Sequence, residues 1–512
     1  MKSYLYLLLA FAFLTACSQE FPRSQDALVL SADFDKKNDK VFSPKALELI
    51  RFSTGVERKA LDLRDTDAIL ELADADTSWF SMQNDFSISF WVKTDHINRD
   101  TTIILSNADF RTLPMGIYGH RRTSHGITIY SYQGGWGMNI GNGELHYNYE
   151  PLANMQALSD NKWHQLAFTY DSKSYELRLF YDGINRAVLH IGDLKNHDFK
   201  SDLKMWIGGN NEQSPPYESF QGSMDRLNVW TRTLPPEAIR KEYEFFSKRQ
   251  IDDPELDDAV FTVLNWNIWH GGTHYTKEND GFDGIERTIE LIQEAKADVV
   301  LMQETYGAGS QISSSLGFYY YEASSSIGAV WGANLSVMSR FPIEDVFLLE
   351  EPANYGKNYA FNNAGAKIRL NGDKSVIVFT NWYNGRKPED LEGALHAWTN
   401  LIENSDQLPL IFGGDYNSVS HLDDGLGESG HSKLMTGAGF TDAFRHLHPD
   451  TATFPGYSFH NTKRRIDYIY YKGNSLEALE VNPIVPNFKG KGELTPGYPS
   501  DHLGLVATFK IQ

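Results

Sequence analysis

One stretch constrains the fold of this chain more than any other: an apolar run at residues 408–412, then two glycines, then Asp415 and Asn417. A short run without polar interruption suits a β-strand that is covered on both faces. We expect Gly413 and Gly414 to let the backbone turn tightly at the strand end. Because side chains alternate along a strand, Asp415 and Asn417 should point the same way into a cleft. A carboxylate beside an amide suits a divalent cation or the oxygens of a phosphate.

The composition is that of a globular protein with an acidic surface. Hydrophobic residues make up 41% and aromatic residues 13% of the 512 positions, which favours packed cores over disorder. The length fits two or three domains. Lys and Arg number 47 against 67 Asp and Glu, so the formal net charge is −20. That charge disfavours a protein that coats nucleic acid or an anionic membrane through bulk charge.

The first residues have the pattern of an export signal. Lys2 precedes an apolar run at residues 4–14 that is too short to span a bilayer, and Thr15 and Ala16 then precede Cys17. Small residues before a cysteine at this place resemble a bacterial lipoprotein lipobox, in which the cysteine is lipidated and starts the mature chain. The alternative is an ordinary secretory peptide with an incidental cysteine.

This pattern predicts a signal peptide at residues 1–17 and a short tether at residues 18–26. The protein should then be exported and held in the cell envelope by the lipid on Cys17. Because the chain has 1 cysteine, no thiol would be left for a disulfide or a cysteine metal site. The cores alone must hold the fold.

Residues 27–246 have the sequence pattern of an all-β domain, with short runs of aromatic and β-branched residues between turn residues. The motifs in order are ALDL at 60–63, FSISFWVK at 86–93, KWHQLAFTYD at 162–171, LRLFYDG at 177–183, WIGG at 206–209 and FQGSMDRLNVWTRTLPPEAI at 220–239. The series resembles a laminin-G-like, concanavalin-type jelly roll. The resemblance implies two packed antiparallel sheets and, in many relatives, a bound glycan or other ligand, sometimes with Ca²⁺.

Four local predictions accompany this domain. Asp182 and Gly183 form a hairpin turn signal. Residues 235–240 should begin a helix, with proline in its first turn. His164 is expected to be a satisfied strand residue rather than a ligand. Residues 247–258 are charged, contain a proline and have no regular spacing of apolar residues, so they are predicted to be the linker between domains.

From residue 259 onward, strand-like runs alternate with helical spacing. Residues 260–264 and 298–302 are predicted strands, and residues 285–295 have apolar positions at helical intervals. Asn267 and Glu304 follow the two predicted strands. Ligands of α/β sheets gather at such strand ends.

Six short motifs follow one another in this second part: NWNI at 265–268, MQET at 302–305, FTNWYN at 379–384, GDYN at 414–417, RIDY at 465–468 and SDH at 500–502. Each alone is common in loops. In this order they resemble the endonuclease/exonuclease/phosphatase superfamily, whose deoxyribonuclease, abasic-site nuclease, sphingomyelinase and inositol phosphatase branches share a metal-dependent phosphoester site. The resemblance covers residues 259–512 and implies a four-layer α/β sandwich, with helices outside two packed mixed sheets.

The resemblance also implies roles for the residues that match. Glu304 would be the principal ligand of Mg²⁺, or alternatively of Mn²⁺. Asn267 would lie beside it, and Asp501 would add negative charge near the metal. Magnesium prefers one or two carboxylates, keeps several waters and takes phosphate oxygens directly, in agreement with these assignments.

The remaining matches imply the chemistry at phosphorus. Asp415 and Asn417 would hold and polarise the attacking water and the phosphoryl oxygens. His502 would be the acid/base or phosphate-facing imidazole, with Asp467 hydrogen-bonded to its far nitrogen. A carboxylate partner favours the cationic form of a histidine. Taken alone, Asp467 is better explained by a surface ion pair with a neighbouring arginine.

One position departs from the family pattern. Many relatives carry a histidine in an Asn-Thr-His-Leu segment, where this chain has Tyr383 in Asn-Trp-Tyr-Asn. Tyrosine occurs there in the abasic-site nuclease branch, so Tyr383 is kept as a catalytic candidate that would donate a hydrogen bond to phosphate. The departure weakens an assignment to pancreatic-type deoxyribonucleases or to sphingomyelinases. Further candidates for substrate contacts are His270, Asn334, Asn381 and Arg386. Of these, His270, Asn334 and Arg386 could equally be solvated loop residues.

The sequence therefore predicts an exported, membrane-anchored phosphoester hydrolase that depends on Mg²⁺. Its substrate would be a lipid, inositol or sugar phosphate, or nucleic acid. The jelly roll would bind a glycan or tether the enzyme to its substrate. The competing hypothesis is a non-catalytic surface-binding lipoprotein in which the jelly roll carries the function.

Overall fold

The computed structural model describes residues 26–37, 42, 44–64, 69–72, 79–97, 101–108, 125–143, 146–192, 198–209, 219–323, 334–349, 363–383, 388–423, 430–460, 464–484 and 497–512. The predicted signal peptide with Cys17 lies outside these residues, and so does Arg386. Among the helices that are described, none is long and apolar enough to cross a membrane.

The first domain is a sandwich of two antiparallel sheets. Its elements are the strands β1 (Leu28–Ala32), β2 (Arg51–Thr54), β3 (Lys59–Asp62), β4 (Leu70–Glu71), β5 (Phe86–Lys93), β6 (Thr102–Ser106), β7 (His125–Tyr132), β8 (Gly135–Asn142), β9 (His146–Tyr149), β10 (His164–Asp171), β11 (Glu176–Tyr181), β12 (Ile184–His190), β13 (Trp206–Ile207) and β14 (Ser223–Trp230), and the helices α1 (Pro44–Leu49) and α2 (Pro236–Ser247). One sheet runs β2-β3-β14-β5-β10-β11-β12, with β1 beside β14, and the other runs β4-β13-β6-β7-β8-β9. The predicted jelly roll is confirmed.

The alternation along β5 shows how this sandwich is covered. Phe86 and Phe90 pack into the core between the sheets. Trp91 lies on the opposite face and stacks on Tyr243 of α2, with ring centroids 5.6 Å apart and planes 8° apart. Helix α2, which starts at the predicted prolines, therefore covers the outer face of the sheet.

His164 is held between two acidic turns, as expected for a satisfied strand residue. Its Nδ1 lies 2.9 Å from Asp182 Oδ2, and its Nε2 lies 2.9 Å from Asp160 Oδ1. Asp182 and Gly183 both have positive φ, 51° and 74°, as the predicted hairpin turn requires. Burial lowers the pKa of His164, but Asp182 and Asp160 outweigh that effect and raise the pKa above its ordinary value. The imidazolium thus joins the two turns.

We expect His164→Gln to destabilise the protein by about 1–3 kcal/mol in mildly acidic buffer and by less in alkaline buffer. The folded-state pKa is raised, so the stabilising contribution is complete below the unfolded value of about 6.5 and is lost as pH rises through the folded value. Urea unfolding at about pH 5.5 and about pH 9 measures the difference. His125→Gln, at an exposed histidine of the same domain, is the control. An equal effect of His164→Gln at both pH values would contradict this explanation.

The second domain alternates strands and helices. Its elements are the strands β15 (Val260–Asn267), β16 (Val299–Gln303), β17 (Tyr319–Glu322), β18 (Ser336–Ser339), β19 (Ile343–Leu348), β20 (Asn363–Asn371), β21 (Lys374–Trp382), β22 (Leu410–Asp415), β23 (Thr441–Asp442), β24 (Asp467–Lys472), β25 (Leu476–Pro483) and β26 (Leu505–Ile511), the helices α3 (Lys277–Asp280), α4 (Gly284–Glu294), α5 (Gly309–Leu316), α6 (Pro388–Ala397), α7 (Thr399–Glu403), α8 (Gly430–Gly437) and α9 (Ala443–Leu447), and a 3₁₀ turn at His270–Gly272. One sheet has the order β17-β18-β16-β15-β26-β25, and the other β19-β20-β21-β22-β24-β23.

These elements form four layers. Ile292 of α4 and Ile312 of α5 pack on the outer face of the first sheet. Residues of β16 and β22, among them Leu301 and Ile411, form the core between the sheets. Helices α6, α7 and α8 cover the outer face of the second sheet, for example through Leu391. The predicted four-layer α/β sandwich is confirmed.

The two domains share one sheet. Strand β12 of the jelly roll pairs in parallel with β17 of the second domain, which places Ala187 opposite Tyr320 and Leu189 opposite Glu322. The result is a continuous 14-stranded sheet. Tyr149 of the jelly roll also stacks on Tyr320, with centroids 6.5 Å apart. The sequence did not predict this junction, because it depends on pairing between strands that are far apart in the chain.

The segment predicted as a linker packs against both domains. Asp253 accepts hydrogen bonds from Arg240 of α2 at 2.7 Å and from Arg369 of β20 at 2.6 Å. Leu256 N–H donates to the carbonyl of Leu370 at 2.7 Å. The jelly roll is therefore fixed to the second domain through this segment as well as through the shared sheet.

The glycines of β22 have a different role from the one expected. Strand β22 continues through Gly413 and Gly414 to Asp415 without a turn. A Cβ on Gly413 would lie 2.6 Å from Leu301 Cδ1 and 2.9 Å from Asn265 Oδ1, both on the facing sheet. The prediction of a tight turn is wrong, because Gly413 allows the two sheets to approach closely, while Gly414 leaves space for Asn381 of the adjacent strand β21.

We expect Gly413→Val to cost about 1–3 kcal/mol or more of unfolding free energy, since the added atoms would push the sheets apart. Gly372→Val, in the turn between β20 and β21, is the matched control because a Cβ there meets nothing within 4 Å. Equilibrium urea unfolding of both variants provides the comparison. Similar losses for the two substitutions would show that sheet approach is not the cause.

Candidate active site

Polar side chains gather where four strands of the second domain meet the segment before β26. The strands are β15, β16, β22 and β24, and together with that segment their ends carry Asn267, Glu304, Asp415, Asp467, Asp501 and His502. Two of the strands belong to each sheet, so the site lies where the two sheets face each other. This is the strand-end position at which α/β proteins bind ligands.

Asn267 connects two carboxylates. Its Nδ2 donates to Glu304 Oε1 at 3.1 Å and to Asp415 Oδ2 at 3.3 Å. Its Oδ1 accepts the N–H of Trp269 at 3.0 Å. In this orientation Asn267 positions both carboxylates as a donor, and a direct bond from its oxygen to a metal remains a prediction.

His502 lies on the other side of Asp415. Its Nδ1 is 3.0 Å and 3.2 Å from the two carboxylate oxygens of Asp467. Its Nε2 is 3.8 Å from Asp415 Oδ2 and 4.0 Å from Asp501 Oδ1. The backbone carbonyl of His502 accepts the indole N–H of Trp266 at 3.0 Å. The ring is therefore fixed with Nδ1 on Asp467 and Nε2 toward the pocket.

Negative charge is concentrated in this pocket. Burial raises the pKa of Asp415 to about 7, opposed by His502 and reinforced by Asp467. Burial is also the largest cause of the raised pKa of Asp501. Burial lowers the pKa of His502, but Asp467 and Asp415 outweigh it and raise the pKa well above its ordinary value. A bound cation would relieve this excess of buried carboxylate charge.

Asn417 reaches Asp415 by a different route from the one expected. Strand β22 ends at Asp415, and Asn417 has a left-handed φ of 47°. Its backbone N–H donates to Asp415 Oδ1 at 2.8 Å, and its Nδ2 donates to Asp415 Oδ2 at 3.0 Å. The expected strand alternation is wrong, because an Asx turn after the strand brings the two side chains together.

Tyr383 is placed in an apolar cluster under α6 with Tyr416 and Leu391. It is 0% exposed, and its hydroxyl donates to Asn381 Oδ1 at 3.2 Å. Its backbone N–H donates to the carbonyl of Asp415 at 2.9 Å, and its own carbonyl accepts Asn417 Nδ2 at 3.1 Å. Tyr383 therefore supports the site through its backbone, and its hydroxyl could contact phosphate only after the ring left this cluster.

The other substrate-binding candidates lie at different distances from the centre. His270 borders it, since its N–H donates to Glu304 Oε2 at 3.0 Å. The backbone carbonyl of Asn334 accepts the N–H of Thr305 at 3.0 Å, next to Glu304. Asn381 Nδ2 donates to the backbone of β22 at 2.7 Å. Only His270 is thus placed by these contacts at the edge of the pocket.

The sequence did not single out two residues that hold the strands of the site in place through hydrogen bonds. Gln303 Nε2 donates to Asn265 Oδ1 and to Thr380 Oγ1, both at 2.9 Å, and so links the two sheets. Ser500 Oγ donates to the carbonyl of Asn267 at 2.7 Å. Gln303 and Ser500 stand inside the MQET and SDH motifs, and that position was the available signal.

Left-handed backbone conformations concentrate around the pocket. The residues are Trp269, His270, Glu304, Tyr306 and Asn417, with φ of 53°, 52°, 57°, 42° and 47°. Such conformations are costly for residues with a side chain and collect at functional sites. The contacts of Glu304 with Asn267 and His270 hold this residue in place.

The donor set fits a hard divalent cation. Oδ1 of Asp501 is buried and accepts no hydrogen bond from the described residues, and a buried carboxylate oxygen without a donor is one that a cation would satisfy. Asp415, Asp467 and His502 also have ligand atoms within 4.8 Å of one another. The hydrogen bonds between His502 and Asp467 explain that geometry without an ion, so the carboxylate of Glu304 remains the better ligand for magnesium.

Comparisons with known proteins agree with the two halves of this architecture. Residues 264–502 match the Endonuclease/Exonuclease/phosphatase family, and residues 65–240 match the Concanavalin A-like lectin/glucanases superfamily. Among curated proteins, an uncharacterized protein of Caenorhabditis elegans is 24% identical over 305 residues, and the match covers 48% of this chain and 90% of that protein.

Three solved structures show the extent of the structural similarity. The human Nocturnin catalytic domain with bound sulfate has a TM-score of 0.37 and 18% identity, and covers 51% of this chain and 97% of its own. D. rerio TDP2 complexed with a single-strand DNA product has a TM-score of 0.35 and 15% identity, and covers 49% of this chain and 100% of its own. An endonuclease/exonuclease/phosphatase family protein from Bacteroides thetaiotaomicron has a TM-score of 0.36 and 16% identity, and covers 49% of this chain and 95% of its own. On the family matches, the chain has a concanavalin A-like jelly-roll domain followed by an endonuclease/exonuclease/phosphatase-type domain.

Proposed function

We propose that the chain is an exported Mg²⁺-dependent phosphoester hydrolase whose active site is the cluster of Glu304, Asn267, Asp415, Asp467 and His502. The observation that carries the proposal is the continuous row of contacts from Glu304 through Asn267 and Asp415 to His502 in one pocket. The family match of the second domain supports a phosphoesterase or nuclease type of hydrolase.

Glu304 is the proposed metal ligand, with Asn267 beside it and Asp501 nearby. When bound, Mg²⁺ supplies positive charge to the phosphoryl oxygens and lowers the pKa of a water ligand. The Nδ2 of Asn267 and the backbone N–H of His270 each donate to one oxygen of Glu304, so they orient this carboxylate before any substrate arrives. Mn²⁺ is the alternative ion, because it favours the same oxygen ligands.

Hydrolysis forms a bond from a water oxygen to phosphorus and breaks the bond from phosphorus to the leaving oxygen. Asp415, with both oxygens held by Asn417, orients and polarises the water and accepts the proton that the water loses as the bond to phosphorus forms. Asp467 keeps a proton on Nδ1 of His502 and turns Nε2 toward the pocket. The His502 imidazolium then stabilises negative charge on the phosphoryl oxygens or protonates the leaving oxygen.

The proposed substrates are lipid, inositol or sugar phosphates, with nucleic acid as the competing class. A net charge of −20 favours the first group, because nucleic acid is itself a polyanion. A lipid on Cys17 and a jelly roll that binds a glycan, with Ca²⁺ as an optional ligand, would both keep the enzyme near a surface substrate.

A substrate screen with the full chain, after chelation and metal add-back, tests the proposal. The substrates are sphingomyelin vesicles, inositol phosphates, a sugar phosphate, plasmid DNA and single-stranded DNA. We expect hydrolysis of at least one class with Mg²⁺ or Mn²⁺, and loss of that activity in excess EDTA. Hydrolysis of none of them, together with glycan binding by the full chain, would support the competing binding lipoprotein.

The export proposal predicts that Cys17 carries lipid. We expect radiolabelled palmitate to be incorporated into the protein in a bacterial host and the label to be lost in Cys17→Ser, because this is the chain's one thiol. Recovery of the wild-type protein in the membrane fraction is the second measurement. Unlabelled protein in the soluble periplasmic fraction would instead indicate an ordinary secretory peptide.

A further inference from the structure

The turn after β15 holds two histidines beside Glu304. Trp269, His270, Gly271 and Gly272 have consecutive positive φ angles of 53°, 52°, 72° and 67°. The N–H of His270 donates to Glu304 Oε2 at 3.0 Å, and the N–H of Gly271 donates to the Glu304 carbonyl at 2.6 Å. The turn is therefore fixed to the residue that we propose as the metal ligand.

The two imidazole rings in this turn face each other. His270 Nδ1 and His274 Nε2 are 3.0 Å apart. His274 is exposed, and its ring stacks on Trp269 with centroids 3.6 Å apart and planes 22° apart. The ring of His270 packs edge-on against Tyr306, with centroids 5.5 Å apart. Contacts with neighbouring aromatic side chains therefore hold both imidazole rings, and with them His270 Nδ1 and His274 Nε2.

We propose that His270 Nδ1 and His274 Nε2 bind one transition-metal ion of the Zn²⁺ class, at a site separate from the carboxylate cluster. Zn–N bonds of about 2.0–2.1 Å at ordinary ligand angles separate two ligand nitrogens by roughly 2.9–3.4 Å. The observed 3.0 Å falls in that interval. Small rotations of the rings would point both lone pairs at one ion, with water completing its coordination.

The surroundings favour the tautomers that binding requires. A metal on His270 Nδ1 leaves the ring proton on Nε2, and that nitrogen lies 3.6 Å from Glu304 Oε2. At 3.6 Å this contact is electrostatic rather than a hydrogen bond, and the nearby carboxylate favours a proton on Nε2. The ion replaces the proton that one ring now shares with the other, so no additional residue has to move away.

Ligand chemistry separates this site from the proposed magnesium site. Imidazole nitrogens suit Zn²⁺, Cu²⁺ and Ni²⁺, whereas carboxylate oxygens suit Mg²⁺ and Mn²⁺. An ion on His270 and His274 would place positive charge beside Glu304. We therefore expect occupancy of the histidine pair to weaken Mg²⁺ binding at Glu304, so that Zn²⁺ would act on the cluster through a neighbouring site.

Calorimetric titration of the full-length protein with Zn²⁺, in saturating Mg²⁺, tests this proposal without any substrate. We expect one tight Zn²⁺ per chain and an affinity at least about 10-fold weaker in His274→Gln, since one of two protein ligands is lost. His396→Gln, at an exposed histidine of α6, is the matched control. His502→Asn should keep the tight site, which distinguishes it from the catalytic cluster.

Cu²⁺ electron paramagnetic resonance gives an independent readout. Coupling to two imidazole nitrogens in the wild type, and to fewer in His270→Gln and His274→Gln, would support the pair. Equal Zn²⁺ affinity in wild type and His274→Gln, or loss of the tight site in His502→Asn alone, would overturn the proposal. Neither result depends on whether the chain hydrolyses a phosphoester, so failure here leaves the proposed function untouched.

Discussion

We expect His502→Asn to lower kcat for the proposed phosphoester hydrolysis by about 10²–10⁴-fold, the range of a positioned acid or electrostatic group. Asparagine fills part of the space of the imidazole but carries no charge and no exchangeable ring proton. In the folded protein, the carboxylates of Asp467 and Asp415 keep His502 cationic, since they raise its pKa well above the ordinary value against the effect of burial. The loss should therefore appear in kcat more than in KM.

Steady-state kinetics on the best substrate from the screen, with near-ultraviolet circular dichroism as a fold check, measures this effect. Asp467→Asn should reduce kcat as well, but by less, because the ring stays in place and Asp415 still favours its cationic form, although less strongly than the two carboxylates together. His396→Gln is the control at an exposed histidine. If His502→Asn retained kcat within about threefold of wild type, His502 would have no part in the chemistry.

Glu304→Gln removes the proposed ligand charge without changing the side-chain shape, and we expect at least about a 100-fold loss of Mg²⁺ affinity. Glu304 accepts hydrogen bonds from the Asn267 amide and the His270 N–H, so its carboxylate is already oriented. An amide in its place would present its NH2 group either to Asn267 Nδ2 or to the His270 N–H, so that two donors would face each other in either orientation. The activity that remains should need far more Mg²⁺ for half-maximal rate.

Mn²⁺ binding followed by electron paramagnetic resonance gives the affinity directly, and a Mg²⁺ titration of activity gives the functional counterpart. Glu286→Gln is the matched control because this α4 carboxylate is 59% exposed and pairs with Lys277 at the surface. An unchanged Mn²⁺ affinity in Glu304→Gln would show that Glu304 is not the metal ligand. The ion would then be expected at Asp415, Asp467 and His502.

The sequence predicted which residues come together in the pocket most directly where a motif ended a buried strand. Glu304 and Asp415 follow apolar runs, and strand ends are where side chains can reach a shared pocket. The pair of Asp467 and His502, which is 3.0 Å apart in the structure, came only from the family resemblance. Nothing in the local pattern around either residue indicates that they are neighbours.

The errors have local physical causes. Gly413 and Gly414 predicted a turn because glycine is common in turns. In the structure, the space at Gly413 is needed by Leu301 of the facing sheet, and the space at Gly414 by Asn381 of β21. Tyr383 aligned with a catalytic position, yet its ring lies in an apolar cluster with its hydroxyl on Asn381. Motif alignment places a backbone position and does not decide which way the side chain points.

The shared sheet changes how the jelly roll should be regarded. Because β12 pairs with β17 and Asp253 links Arg240 to Arg369, the first domain supports the sheet that carries Asn267. Removing it would expose the edge of β17, and exposed edges invite aggregation. Binding and kinetic experiments are therefore best made on the full chain.

The most direct test of the account is the position of a bound metal ion. Crystals of the full-length protein soaked in Mn²⁺ and measured at the manganese edge should show an anomalous peak about 2.0–2.3 Å from a carboxylate oxygen of Glu304. The peak should lie in the same pocket as Asp415 and the Nε2 of His502. An anomalous map with no peak near Glu304, or with the ion outside this pocket, would contradict the account.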